Sequence, residues 1–67
     1  MVTIGATLKD LMACNDVSQR QLARETTLPI STISRLVQDK GEPTVEALGK
    51  LADYFGVSTD YLLGRED

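Results

Sequence analysis

The sequence predicts an all-α fold, a compact bundle of five short helices in one domain that spans residues 1–67. The apolar residues recur with helical spacing along the chain. Residues that start or stop helices interrupt this spacing at short, regular intervals. A length of 67 residues allows one small core and excludes a second domain.

The first three helices are predicted from apolar spacing and from start signals. In the first segment the apolar residues repeat at i, i+4, i+7 and i+8, which predicts a helix over about residues 3–13. Ser18 precedes Gln21 by three residues, the spacing at which both side chains can cap a helix start, so a second helix is predicted over about residues 19–25. Pro29 suits a first helical turn and predicts a third helix over about residues 29–38. The apolar residues of the first helix are Ile4, Leu8, Leu11 and Met12.

Two further helices follow a loop that contains glycine and proline. Thr44 is predicted to cap a fourth helix that ends at Gly56. Ser58 is predicted to cap a short fifth helix that ends at Gly64. The fourth helix has an apolar stripe that is expected to face the core, made of Val45, Leu48, Leu51, Ala52 and Phe55.

The composition argues against several classes of protein. One cysteine and no histidine exclude an internal disulfide and the usual zinc ligands, so Cys14 is expected to be a small apolar filler. There is no histidine for general base catalysis and no P-loop, so no enzyme, cofactor or small-molecule ligand is expected. No apolar run is long enough for a membrane span, and the expected location is the bacterial cytosol, in association with the nucleoid.

The charge is unevenly distributed. Residues 1–40 contain five basic and four acidic residues, whereas residues 41–67 contain two basic and six acidic residues. The formal net charge of −3 argues against a non-specific polycation. Binding to nucleic acid remains compatible with it, because the distribution of charge matters more than its sum.

The most informative stretch is residues 19–36, QRQLARETTLPISTISRL. Two helices joined by three or four residues must cross steeply, and Ala23 is small enough to lie at the crossing. On the third helix Ile33, Leu36 and Val37 share one face, and polar residues share the other. A slender polar face of this kind fits the DNA major groove, which is about 12 Å wide. The polar face is made of Ser31, Ser34, Arg35 and Gln38.

These residues resemble the Cro and lambda-repressor type of helix-turn-helix DNA-binding domain, the xenobiotic-response-element regulator family. The resemblance covers residues 7–64 and implies a lambda-repressor-like bundle in which the second and third helices form a helix-turn-helix over about residues 18–38. The matching pieces are SQRQLA at 18–23, ISTISRL at 30–36, the helix start at Pro43 and Thr44, and ALGKLADYFGVSTDYLLG at 47–64.

The resemblance, taken with the polar face of the third helix, implies two sets of contacts with DNA. The residues expected to contact base edges are Ile30, Ser31, Thr32, Ser34 and Arg35. The residues expected to contact phosphates or to position the interface are Gln19, Arg20, Lys40 and Thr44. Alternatives stay open for several of these residues. Ser31, Thr32 and Ser34 could form a solvated helix face, and Ile30, three residues before Ile33, could join the core. Gln19 could serve only the first turn of its helix, Arg20 could belong to a surface stripe, and Lys40 could be a solvated loop residue.

The sequence departs from the family pattern around the third helix. Thr27 stands where the family most often has glycine, and a β-branched residue is strained at positive φ, so a different backbone path is expected in this turn. Val37 and Asp39 stand where many members have glutamate and glycine, which makes the following loop less predictable.

The leading hypothesis is a transcriptional regulator, a phage or bacterial repressor that binds a palindromic operator of double-stranded DNA as a homodimer. The expected dimer contact is the C-terminal helix, through Tyr61, Leu62 and Leu63. An antitoxin or a restriction-modification controller of the same fold is an alternative, and so is a protein-interaction module that has lost DNA binding. The chain is interpreted either as a whole small regulator or as the N-terminal domain of a longer repressor.

Overall fold

The computed structural model describes residues 3–65, and this part of the chain contains helices and no strands. The predicted all-α class and the number of helices are confirmed, and each boundary lies within one or two residues of its predicted position. Pro29 precedes the third helix as its N-cap. The helices are α1 (Ile4–Cys14), α2 (Gln19–Thr26), α3 (Ile30–Val37), α4 (Val45–Phe55) and α5 (Thr59–Leu62).

Four of the helices begin at a hydroxyl side chain that caps the first turn. Each hydroxyl oxygen accepts a hydrogen bond from the backbone N–H three residues later, which satisfies one of the free donors of a helix start. The reciprocal cap predicted between Ser18 and Gln21 forms only in part, because the Gln21 side chain amide donates to Glu25 instead. The capping residues are Thr3, Ser18, Thr44 and Ser58.

All five helices end in the same way. One residue with positive φ follows the helix, and the next residue donates its N–H to the carbonyl five positions earlier, over 2.8–3.1 Å. This left-handed stop satisfies a carbonyl of the last turn and reverses the chain within two residues. Only two of the five left-handed residues are glycine. The five residues are Asp16, Thr27, Asp39, Gly56 and Gly64.

The expectation of a different backbone path at Thr27 is wrong. Thr27 adopts the left-handed conformation, with φ 59° and ψ 26°, that glycine would adopt in this turn. Its hydroxyl donates to the carbonyl of Thr26 and accepts a hydrogen bond from Nζ of Lys50 at 2.9 Å. These contacts hold the strained residue in place, so the turn keeps its path without glycine.

The core has one large, fully buried side chain from each helix. These five residues bring all five helices to one centre, and smaller or half-buried apolar residues pack around them. Burial of such a side chain contributes about 1.5–3 kcal/mol to folding. The five residues are Leu8, Leu22, Ile33, Leu51 and Leu62.

Three predictions about burial are wrong. Val45 was expected in the core stripe but is 87% exposed, because side chains lean toward the N-terminus of their helix and Val45 is the first residue of α4. Leu62 was expected at a dimer contact but is fully buried, as α5 packs on α1 and α4. Cys14 was expected to fill the core but is exposed at the end of α1, where the chain turns away.

We predict that Thr27→Gly stabilises the protein. Glycine removes a left-handed penalty of about 1–2 kcal/mol and costs about 0.5–1 kcal/mol because its unfolded chain is more flexible. The bond from Lys50 that the variant loses is exposed, so water can replace it at little cost, and the free energy of unfolding should rise by about 0.5 kcal/mol. Urea unfolding monitored by circular dichroism measures the change. Gly56→Ala is the matched control, since its Cβ would meet no atom within 4 Å at φ +68°, and it should lower the free energy of unfolding. A less stable Thr27→Gly protein would contradict the prediction.

Candidate nucleic-acid interface

The predicted helix-turn-helix is present. α2 ends at Thr26 and α3 begins at Ile30, so three residues connect the two helices. Leu28, in the middle of the connection, is buried and anchors the turn in the core. The two helices are in contact, and Ala23, which was predicted to lie at their crossing, is buried. Leu22 of α2 and Ile33 and Leu36 of α3 are buried as well.

α3 has one buried face and one accessible face. Ile33, Leu36 and Val37 are buried, as the spacing predicted. The five residues expected to contact base edges lie on the rest of the helix, where three are exposed and two are half-buried. Ile30, Ser31 and Arg35 are the exposed residues, and Thr32 and Ser34 are the half-buried ones.

Ile30 does not join the core. Its side chain is 49% exposed and lies outside the core cluster, although it precedes the buried Ile33 by one helical turn. Ser34 is partly engaged within the helix, since its hydroxyl accepts a hydrogen bond from Nε2 of Gln38 at 2.9 Å. Ile30 is therefore the large apolar group of this accessible face.

Residues predicted from separate parts of the sequence meet at one cleft. A shallow cleft of about 180 Å³ lies between the end of α3 and the start of α4. Arg35, Lys40 and Thr44 line it together with Thr32, which unites four predicted site residues. Glu42 was not predicted and adds a negative charge to the cleft. The composition of the loop did not indicate that the Glu42 carboxylate would lie in this cleft.

Arg35 lies over the loop that follows its own helix. A Cβ built on Gly41 would lie 2.8 Å from Nη2 of Arg35, so the guanidinium lies directly against this glycine and would have to shift for a larger residue. Gly41 also has φ +86°, a conformation that favours glycine.

The remaining predicted contacts lie at helix starts. Gln19 is the first residue of α2 and is half-buried, and Arg20 beside it is exposed. The Thr44 hydroxyl accepts the N–H of Ala47 at 3.0 Å and so caps α4. A hydroxyl that accepts one hydrogen bond can still donate its own proton. The Thr44 side chain can therefore cap α4 and donate to a phosphate at the same time.

A polar network joins the helix-turn-helix to α4. The Tyr54 hydroxyl donates to Oε1 of Glu25 at 2.6 Å, and the Gln21 amide donates to Oε2 at 2.9 Å. One helical turn before Tyr54, Lys50 donates to Thr27 in the turn. α4 therefore supports both the end of α2 and the turn that orients α3.

The network shifts the titration of its two ionisable partners. The hydrogen bond from Tyr54, and then the bond from Gln21 and the positive charge of Arg24, hold the pKa of the Glu25 carboxyl below its ordinary value of 4.5. The same bond to Glu25 raises the pKa of the Tyr54 hydroxyl, because ionised tyrosine could no longer donate it.

Comparisons with known proteins agree with this architecture. A family model described as helix-turn-helix matches residues 8–62. The HTH-type transcriptional regulator ImmR of Bacillus subtilis (strain 168) is 29% identical over 66 residues, covering 98% of this chain and 52% of that protein. A crystal structure of a transcriptional regulator from Listeria innocua matches with a TM-score of 0.83 and 25% identity, covering 97% of this chain and 61% of that one. The chain thus spans about half the length of the curated relative.

The crossing of α2 and α3, the anchored turn between them and the accessible face of α3 define a helix-turn-helix DNA-binding domain. The chain belongs to the Cro/C1-type helix-turn-helix family of transcriptional regulators. The resemblance stated from the sequence is therefore confirmed. Between Thr3 and Arg65, no helix is both long enough and apolar enough to cross a membrane.

We predict that Tyr54→Phe lowers stability in a pH-dependent way. The variant keeps the ring that packs edge-to-face on Phe55, with centroids 5.0 Å apart, and loses the bond to Glu25. A depressed carboxyl pKa contributes stability above the pKa of the unfolded chain, and this is lost as pH falls through the folded pKa. The difference in the free energy of unfolding between the wild type and Tyr54→Phe should therefore have its full size at pH 7 and should become smaller below about pH 4.5.

Urea unfolding at a series of pH values between 7 and 3 measures this difference. Tyr61→Phe is the control, because it removes the hydroxyl of an exposed tyrosine on a different helix. The control should follow the wild type at every pH. A difference for Tyr54→Phe that stays constant between pH 7 and pH 3 would contradict the prediction, since it would show that the ionised form of Glu25 adds no stability through this bond.

Proposed function

We propose that this protein is a sequence-specific double-stranded DNA-binding regulator that represses transcription from a palindromic operator, to which it binds as a homodimer. The observation that carries the proposal is the joint placement of Arg35, Lys40 and Thr44 at one cleft beside the accessible face of α3. Bound to an operator that overlaps a promoter, the protein would block polymerase by occupancy. It would carry out no chemistry of its own.

In this proposal the accessible face of α3 enters the major groove and selects the sequence. Arg35 would donate two hydrogen bonds to a guanine, and serine and threonine hydroxyls would bond other base edges. Ile30 would contact a thymine methyl group, for which its half-exposed side chain is suited. The hydroxyl residues concerned are Ser31, Thr32 and Ser34.

The flanking residues would fix the position of the domain on the duplex. Gln19 and Arg20 would meet the backbone at the start of α2, and Lys40 and Thr44 would meet it at the start of α4. The partial positive charge at a helix N-terminus favours a phosphate there. Contacts of this kind set register, while base contacts set sequence.

The dimer contact is proposed for the α5 end of the molecule. Tyr61 is 43% exposed and Leu63 is half-buried, so both offer apolar surface to a second copy. Leu62 supports α5 from within and is not part of this surface. Two-fold symmetry would then place two α3 helices at half-sites about 34 Å apart.

The first experiment is selection of duplexes from a random pool by the purified protein, followed by titration of the selected duplex at two salt concentrations. A palindrome with two separated half-sites supports the proposal. Because the protein has a net charge of −3, its DNA affinity should fall less steeply with rising salt concentration than that of a strongly basic DNA-binding protein. We call this dependence the salt slope. If no duplex is enriched at low salt and high protein concentration, operator binding by this chain alone is overturned. The acidic residues 41–67 would then favour a protein-interaction module, and a requirement for a separate dimerisation domain would be the other explanation.

Co-purification and a reporter assay separate the other regulators that use this fold. A small toxin retained by the protein from its own host would indicate an antitoxin. Activation of the reporter, where repression is expected, would indicate a controller of the restriction-modification kind. Each result would leave the DNA contacts in place and would change the biological role.

We predict that Arg35→Ala and Lys40→Ala affect DNA binding differently. Arg35→Ala should remove discrimination at one base pair and cost about 1–3 kcal/mol on the selected duplex only. Lys40→Ala should weaken selected and random duplexes alike and lower the salt slope by about one. Lys9→Ala, on the exposed side of α1, is the control and should change neither. Equal losses of both variants on both duplexes would contradict these roles.

A further inference from the structure

The loop between α3 and α4 contains Lys40, and residues 40–44 have no regular secondary structure. The loop follows directly after the left-handed stop of α3. The stop is made by Asp39 at φ 59°, whose N–H donates to the Leu36 carbonyl at 3.1 Å. The N–H of Lys40 donates to the Arg35 carbonyl at 2.8 Å. The backbone of Lys40 is therefore placed directly by the stop at Asp39.

The Asp39 carboxylate is bound to the start of another helix. Thr3 donates its hydroxyl to Oδ2 at 2.8 Å, and Gly5 donates its backbone N–H to Oδ1 at 2.9 Å. Thr3 uses the same hydroxyl oxygen to accept the N–H of Ala6. The positive end of α1 also favours a carboxylate at this position. We call this pair of hydrogen bonds the Asp39 clamp.

The clamp depends on a close approach that only glycine allows. A Cβ on Gly5 would lie 2.5 Å from the carbonyl oxygen of Val37 and 2.6 Å from Oδ2 of Asp39. Distances this short exclude a side chain, so Gly5 lets the start of α1 meet the end of α3. α1 and α3 pack together along the same side of the molecule.

An aspartate at this position has two unfavourable properties. A left-handed backbone is less favourable for aspartate than for glycine, although aspartate tolerates it better than most residues do. A carboxylate next to Lys40 also repels the phosphate proposed to bind there. Neither property is needed to stop the helix, since glycine stops α4 in the same conformation. Compared with glycine, the aspartate therefore adds one favourable feature, which is the Asp39 clamp.

We propose that Asp39 is a positioning residue of the DNA interface, whose clamp to Thr3 and Gly5 fixes the α3–α4 loop so that Lys40 is held ready for its phosphate. The inference rests on the proposed DNA binding and deepens it. Holding a loop in its bound arrangement raises affinity, because less freedom is lost on binding. The clamp thus acts through Lys40 and touches no DNA itself.

The test compares Asp39→Gly with Asp16→Gly in titrations of the selected duplex. Both substitutions replace an aspartate in a left-handed stop and remove one negative charge, but only Asp39 binds a second helix. Loss of charge alone should tighten binding or leave it unchanged. Loss of the clamp should weaken binding to selected and random duplexes by about fivefold to tenfold. Asp16→Gly should not weaken it.

A double-mutant cycle with Lys40→Ala tests whether Asp39 acts through Lys40. Asp39→Gly should cost nothing further in a Lys40→Ala protein, because the residue it positions is already gone. Additive losses would overturn the proposal. Urea unfolding of each variant defines the temperature at which all are folded, so that binding is compared between folded proteins only.

Two further outcomes separate this inference from the proposed function. If the wild type selects an operator and Asp39→Gly binds it as well as Asp16→Gly does, the clamp is overturned and DNA binding stands. If the wild type binds no duplex, both are overturned. If Asp39→Gly fails to fold, Asp39→Asn replaces it: asparagine tolerates the left-handed conformation but has one acceptor oxygen where the clamp uses two, so it should weaken binding in the same direction and to a smaller extent.

Discussion

The structure depends on the left-handed stop that ends every helix. Each stop turns the chain within two residues and satisfies a carbonyl that would otherwise remain free. Because the turns are so short, five helices fit into residues 3–65 and each directs one large side chain to the same centre. Longer connections would have consumed the residues from which a core this small is built. The packing of α2 directly against α3 follows from the same constraint.

α3 has one of these stops at each of its ends, as α2 and α5 also do, but at α3 the side chains of both stop residues contact other elements. The left-handed residues there are Thr27 and Asp39, and neither is glycine. Each uses its side chain to reach another part of the molecule, Thr27 through Lys50 of α4 and Asp39 through the start of α1. The orientation of α3 is therefore set by two tertiary hydrogen-bonding groups as well as by the buried Ile33.

The helices, their starts and the helix-turn-helix could be predicted from the sequence because their signals are local. Helical spacing and capping residues act over three to seven positions. The segments that resemble the family also lie at the distances from one another that the family pattern expects. The burial of individual residues was harder to predict from the sequence. Periodicity grouped Val45 with the apolar stripe of α4, but it could not show that the start of α4 extends beyond the core and leaves Val45 exposed. The Asp39 clamp joins residues 34 and 36 positions apart, and no local pattern encodes such a contact.

Local stops also bear on how fast the chain folds. A helix that ends through bonds spanning five residues needs no distant segment to define its length, so each helix can form with its boundaries already in place. Proteins built mainly from such near-neighbour contacts fold in microseconds to milliseconds, because little loop-closure entropy is lost before the core assembles. Newly made chains would then expose their apolar residues only briefly, which limits the time available for aggregation.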